Sequence, residues 1–385
     1  MDIFIYNASF QLVAVVDYYE TFIWTERYSD YGDFELYLPV DSDTVQYFKV
    51  NYYIEIRESN RTMIIEDIQI DTDVDSGPTL KISGRSLESI LDRRIIWKQT
   101  TISNATVDAT IKQLLAENIL GTLEDGRGID CLEYLDPDVS DGIKQYTIPQ
   151  IQFTGDNLFD AVKGICDAFQ IGFEIIAGHP EEEDDGRIHF RFKLFTGVNR
   201  SYTNDDGTDQ FINPHVAFSP NFDNLLNSSY LESNKISKTI ALVAGSGEGS
   251  DRVMVKVSAS DDYGEGLSRR ELFVDARDLT KDVKSEDGST RQLTDDEYNE
   301  TLMERGREKL TEYPVIESFE GGVEPDTKYK YGLRDEIKSG KADYAIGDIV
   351  QVENEYGMRL RCRVIEFIRS KDATGSAEYP TFTKI

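Results

Sequence analysis

The sequence predicts a mainly β chain with an α+β insert, and three observations carry that expectation. One strand programme occurs twice. Phe34-Glu35-Leu36-Tyr37-Leu38-Pro39 is followed by Tyr53-Ile54-Glu55-Ile56-Arg57 and Met63-Ile64-Ile65-Glu66-Asp67-Ile68. Phe319-Glu320-Gly321-Gly322-Val323-Glu324-Pro325 is followed by Ile349-Val350-Gln351-Val352-Glu353 and Arg363-Val364-Ile365-Glu366-Phe367-Ile368. The second observation is a period of two in both regions, where apolar and polar residues alternate so that one strand face meets a core. The third is a change to helical spacing between about 100 and 200. A duplicated β domain gives one subunit two similar surfaces, which suits a ring or tube better than an active site.

Each element follows in order. Met1-Asp2-Ile3-Phe4-Ile5-Tyr6 lacks a basic region and a long apolar core, so it reads as a first strand and not a signal peptide. Phe34, Leu36 and Leu38, then Ile54 and Ile56, then Leu80 and Ile82 mark alternating strands. Polar turns link the paired strands of each copy, Ser59-Asn60-Arg61 in the first and Asn354-Glu355-Tyr356-Gly357 in the second. Leu87, Ile90 and Leu91 share one side of a short helix. Asn104 is placed to cap a helix carrying Val107, Ile111, Leu114 and Leu115. A second helix from near Asp156 carries Leu158, Ala161, Val162, Ile165, Cys166 and Phe169. Strands at Phe173–Ile176 and Ile188–Phe192 flank an acidic loop, Gly178–Gly186, whose like charges predict a solvated, mobile segment. Strands return after 210, interrupted by a helix over about 294–312 that opens on the capping-box spacing Thr294-Asp295-Asp296-Glu297. Gly306 on that helix predicts close approach of another backbone. The expected division is a β domain at 1–100, an α+β domain at 101–210 and a second β domain at 211–385.

The chain has 385 residues, enough for two to four domains, and a net charge of −31. Such acidity argues against tight binding to nucleic-acid phosphate or to an anionic membrane surface. Cys131, Cys166 and Cys362 are odd in number and widely spaced, which disfavours a disulfide framework or a zinc site. No stretch approaches the ~18 apolar residues needed to span a bilayer.

Apparent chemical motifs dissolve on inspection. Asp71, Asp73 and Asp75 lack the glycine and distal glutamate of a calcium loop, and the segment reads as a hairpin turn. Asn204-Asp205-Asp206-Gly207 also reads as a turn. Gly245-Ser246-Gly247-Glu248-Gly249 is followed by an alternating strand, not by the helix a phosphate loop requires. His179, His189 and His215 share no metal-ligand spacing. The reading assigns no catalytic, cofactor-binding or metal residue.

Several ordered segments resemble the tail-hub, or baseplate-hub, proteins of tailed bacteriophages, in particular the siphophage minor-tail family of the ReqiPepy type. The carrying residues are Trp24-Thr25-Glu26-Arg27-Tyr28, Gly32-Asp33-Phe34-Glu35-Leu36, Met63-Ile64-Ile65-Glu66-Asp67 and the run Gly84–Arg94. Arg305-Gly306, Asp343-Tyr344-Ala345-Ile346-Gly347-Asp348-Ile349-Val350 and Tyr379-Pro380-Thr381-Phe382 extend the match. The resemblance implies two related β-barrel tube domains with an α+β domain between them, and a homotrimeric ring whose six barrels imitate sixfold symmetry. It also implies a virion tail-tip location after synthesis in the host cytoplasm. The ring would cap the tail tube beside a distal tail protein and a tape-measure or tail-tube protein, and would open to pass DNA without binding it specifically. The chain stops after the second barrel motif, so receptor binding is expected of a separate protein. Two other readings stay open: a carbohydrate-binding adhesin in which Trp24 and Trp97 stack on sugars, and a peptidoglycan hydrolase.

Overall fold

The computed structural model describes residues 1–40, 42–73, 77–123, 126–259, 266–284, 290–322 and 329–385. The first part contains β1 (Ile3–Tyr6), β2 (Leu12–Val16), β3 (Thr21–Arg27), β4 (Asp33–Pro39), α1 (Ser42–Tyr47), β5 (Tyr53–Ile56), β6 (Met63–Asp73) and β7 (Gly77–Ser86). The middle contains β8 (Thr100–Thr106), α2 (Val107–Asn118), β9 (Leu132–Leu135), β10 (Thr147–Phe153), α3 (Leu158–Ala168), β11 (Gly172–Gly178) and β12 (His189–Phe195). The last part begins with β13 (Ala217–Phe218), β14 (Leu226–Ser233), β15 (Ile240–Ala244), β16 (Met254–Ser258) and β17 (Glu271–Asp275). It continues through β18 (Asp282–Lys284), β19 (Thr290–Gln292), α4 (Asp295–Thr311) and β20 (Ile316–Gly322). It ends with α5 (Arg334–Lys338), β21 (Ile349–Glu353), β22 (Arg359–Asp372) and β23 (Gly375–Lys384).

The two copies share one topology. Hydrogen-bonded neighbours run β3-β4-β7-β6-β5 in the first and β14-β20-β23-β22-β21 in the second. Their registers also agree. Phe34 faces Gly84, which faces Ile65, while Phe319 faces Phe382, which faces Val364. The ladder slips by one residue at Glu66 in β6 and at Ile365 in β22, the same place in each hairpin. A β-bulge is a defined bend in a strand, and its recurrence at one position is hard to reconcile with chance likeness of short strands. The copies differ beyond this set: β1 runs antiparallel to β5, whereas β13 runs parallel to β21. Pro39 closes β4 as expected, while Val323, Glu324 and Pro325 lie outside the described residues.

The copies are not separate. β22 continues past its bulge to pair antiparallel with β3, from Glu366 opposite Arg27 to Lys371 opposite Phe22. This joint merges both copies into one 13-stranded sheet. Pairing among the described strands closes neither copy into a barrel by itself.

Alternation dictates which faces are buried. Phe34, Leu36, Leu38, Ile54, Ile56, Leu80 and Ile82 fill one core with Trp24 and Phe22. The corresponding core of the last part contains Phe218, Val350, Val352, Val364, Phe367 and Phe382. The middle part packs α2 and α3 over β8–β12, with Ile111, Leu114, Leu115, Val162, Ile165 and Cys166 buried.

One local expectation changes, and a second gains detail. The cap of α2 is Thr106, whose hydroxyl accepts the Ala109 amide, whereas Asn104 lies within β8 at φ +50°. The strand runs two residues beyond Asn104 because β8 pairs with β10 up to Thr106. The acidic loop is organised by cations on the following strand. Both Arg191 guanidinium nitrogens donate to Glu183 at 2.6 Å, and His189 bonds Asp185 at 3.1 Å. The loop is largely exposed, as its charges imply, and these contacts tie it to the strand that follows.

α4 opens on the expected capping box, with Thr294 accepting the Glu297 amide and the Glu297 carboxylate accepting the Thr294 amide. Gly306 lets this helix sit on β15 and β16, and the close neighbours are side chains, not backbone. A Cβ there would lie 2.3 Å from Val257 Cγ1 and 2.7 Å from Val243 Cγ2. Gly306→Val is expected to lift the helix and cost about 1–3 kcal/mol, the range for overpacked cores. Denaturant unfolding beside a Gly164→Val control, whose Cβ meets only a glutamate side chain at 3.6 Å, checks this.

Candidate assembly surface

The joint between the copies concentrates buried charge. Arg369 on β22 and Glu26 on β3 form an ion pair, and both are at most 3% exposed. The Tyr331 hydroxyl donates to Glu26 at 2.9 Å, and its ring stacks on Phe367 at 3.6 Å. Arg27 reaches Glu366 across the same strand pair at 2.7 Å. Arg61, buried nearby, pairs with Glu88 and lies 3.6 Å from Glu174 on β11. Glu88 also accepts the Ile175 amide at 2.8 Å, tying the first copy to the middle part.

Tyr28, directly after β3, joins all three parts. Its amide donates to the Ile365 carbonyl at the bulge and its carbonyl accepts from Phe173. Its hydroxyl donates to the Gln170 carbonyl at 2.9 Å. The ring fits between Gly172 and Gly347, where a Cβ would come within 2.4 Å of it in either case.

Burial pushes the Glu26 carboxyl up, but Arg369, Arg61 and the hydroxyls around it outweigh that cost, so it sits below its ordinary value of 4.5. A folded value below the unfolded one stabilises the native state above the ordinary carboxylate range, and that contribution is lost as pH falls through the folded value. Protection of β3 and β22 amides from hydrogen exchange is therefore expected to fall between about pH 6 and pH 3. Equal protection factors at both ends would mean that the pair does not hold the joint.

Chemical candidates are dispersed. Asp71 and Asp73 lie on β6, and Asp73 faces Gly77 across the hairpin turn, while Asp75 lies outside the described residues. Asn204–Gly207 is a turn closed by the Gly207 amide on the Asn204 carbonyl. The glycine-rich segment links β15 to its antiparallel partner β16. His179 bonds Glu55, and His189 bonds Glu133 as well as Asp185. No cluster of three or more metal-ligating side chains occurs among the described residues. An apolar cleft between α3 and α4, lined by Ile165, Phe169 and Leu310, holds Glu304 and Glu308, both pushed upward by burial. Trp24 is wholly buried and cannot stack on a sugar, while Trp97 is 61% exposed beneath Arg127.

The family profile described as siphovirus ReqiPepy6 Gp37-like protein matches residues 2–382. The chain belongs to this family. Membership makes this chain a structural component of the bacteriophage tail, located in the virion. No helix among its described residues is long and apolar enough to cross a membrane.

Solved structures agree on the fold. A tail protein from Neisseria meningitidis MC58 is 12% identical with a TM-score of 0.53, covering 100% of this chain and 96% of that one. The 43 kDa tail protein of prophage MuSo2 from Shewanella oneidensis is 13% identical with a TM-score of 0.50, covering 100% and 98%. Prophage tail protein gp18 from Listeria monocytogenes EGD-e is 12% identical with a TM-score of 0.48, covering 100% and 94%. No curated protein sequence matches the chain. The chain thus shares its mainly β fold with the first two of these tail proteins.

Sequence reasoning found the strands but missed the joint. Glu26 and Arg369 sit in alternating strands, where polar residues read as solvent-facing, and their pairing spans most of the chain, while Arg61 lies in a polar turn that gives no sign of burial.

Proposed function

We propose that this chain is the ring-forming hub of a phage tail tip, with no catalytic role. Duplication carries the reading: two copies of one strand order, matched in register and fused in one sheet, let a ring of chains present twice as many equivalent units. A homotrimer would then mate with a sixfold tube. Within each chain we assign a first tube domain to 1–100, an α+β domain to 101–210 and a second tube domain to 211–385. The ring would cap the tail tube, contact a distal tail protein and a tape-measure or tail-tube protein, and open for genome passage. A separate protein would bind the receptor. The net charge of −31 per chain suits a path that DNA must traverse without sticking.

Mass measurement in solution, with electron micrographs of the particle, tests the reading. The expected result is a three-copy ring with an axial opening. A single-copy globule, or a closed assembly without a bore, would overturn it.

A further inference from the structure

The cleft between α3 and α4 is built like a binding site, and its chemistry is one-sided. It holds about 680 Å³, within the roughly 300–1,000 Å³ typical of ligand clefts. Its apolar lining comes from the middle part through Ile148, Ile165 and Phe169, and from the last part through Leu310, Pro314 and Val315. Ile148, Ile165 and Leu310 are buried, whereas Pro314 and Val315 are exposed. Apolar surface therefore continues from the floor of the cleft to a rim that meets water.

Two carboxylates on α4 share this space. Glu304 is bonded by Arg307, which also donates to Glu300 at 3.0 Å, so that cation is divided within the helix. Glu308 is worse served. No hydrogen bond reaches either of its carboxylate oxygens among the described residues, and Oε2 is buried. Arg305 Nε lies 3.2 Å from Oε2 without hydrogen-bond alignment. The other two nitrogens of that guanidinium bond Asp278 and the Gln152 carbonyl, each at 3.1 Å. Asp156 draws on the same group from 4.0 Å. Asp156, Asp278, Glu300, Glu304 and Glu308 thus stand against Arg305, Arg307 and Lys238, while Lys309 and Glu312 cancel as a pair. The excess is negative. Burial adds to its cost and pushes both cleft carboxyls upward. An acceptor buried without a donor is costly, more so when charged, and one retained beside an apolar cleft points to a donor supplied from outside.

We infer that this cleft docks a short segment of another tail protein in which a large apolar side chain neighbours a lysine or arginine. The apolar side chain lies against Ile165 and Leu310, and the cation meets Glu308 and the uncompensated charge beside it. Lipid phosphate or nucleic acid would bring more negative charge to an acidic cleft on a chain of −31. A basic segment relieves that charge. Membership of a tail-protein family supplies neighbours from which it can come. The inference rests on that membership and not on the ring reading, so either can fail alone.

4-Phenylbutylammonium is the probe for the site, and 4-phenylbutyrate is the control with the same apolar body and opposite charge. Methyl NMR of the full chain is expected to show saturable shifts with the amine, confined to the surroundings of Ile148, Ile165 and Leu310. The acid is expected to bind about tenfold more weakly, the worth of one charge-assisted hydrogen bond. Glu308→Gln is expected to erase that preference while the urea midpoint stays equal or rises, because an unbonded buried charge is removed. Equal shifts for amine and acid, or amine shifts only outside the cleft, overturn the site. For the occupant, Ala168→Cys and Thr311→Cys place thiols on exposed ends of α3 and α4. Both are expected to react with maleimide in the isolated chain and to be shielded in assembled tails. A thiol-to-lysine crosslinker on the introduced thiol is expected to capture a peptide of a different tail protein with lysine beside an apolar residue. Equal labelling in tails, or capture of a second copy of this chain, overturns the docked segment.

Discussion

Replacing Arg369 by methionine is expected to lower the unfolding free energy by about 3–5 kcal/mol, among the largest losses available to a single change in this chain. The guanidinium is the main partner of Glu26, and both groups lie away from water. Taking it away leaves a carboxylate in the interior with the Tyr331 and Ser59 hydroxyls and the Arg61 charge as its remaining support. It also removes the cation held over the Tyr331 and Phe367 rings. The companion measurement is the Arg369→Met/Glu26→Leu double variant, which removes both charges. It is expected to recover much of the loss, because a buried ion pair replaced by apolar groups of similar size is often neutral. Urea unfolding of the three variants decides the matter. A loss below about 1 kcal/mol for Arg369→Met would place the pair in the class of screened surface contacts.

Trp24→Ala is expected to cost a similar amount, about 3–5 kcal/mol, through the void it leaves between Phe22 and Phe34. The indole carries a further signature. Its Nε1 is buried with no acceptor among the described residues, so the native side chain bears an unmet desolvation penalty. Trp24→Phe keeps most of the ring volume and deletes that donor, and it is expected to lose at least 2 kcal/mol less than the alanine variant. Near-equal losses in the two variants would show that volume alone governs the site.

Much of the repeat was legible because its registers are written in local pattern. Phe34-Glu35 and Phe319-Glu320 occupy matching rungs, and Tyr53-Ile54 matches Ile349-Val350 in the same way. Caps with a local mechanism, such as Thr294 with Glu297, were equally readable. What escaped depends on partners far away in sequence. The partners that Glu183 and Asp185 find in Arg191 and His189 were not legible, because those side chains belong to the strand after the loop. Asn104 looked like a cap because nothing nearby reveals that pairing with β10 continues past it to Thr106. The β3–β22 joint was invisible for the same reason, since either strand read alone could as well have been an outer one.

The fusion of both copies through β3 and β22 has a mechanical consequence. A load applied along these strands is shared by the whole ladder from Glu366 to Lys371 at once, so the halves resist sliding far better than two beads on a tether would. Hinges are ordinarily a few loop residues that absorb dihedral change, and no loop intervenes across this seam. Force reaching one half is therefore delivered to the other through the seam itself.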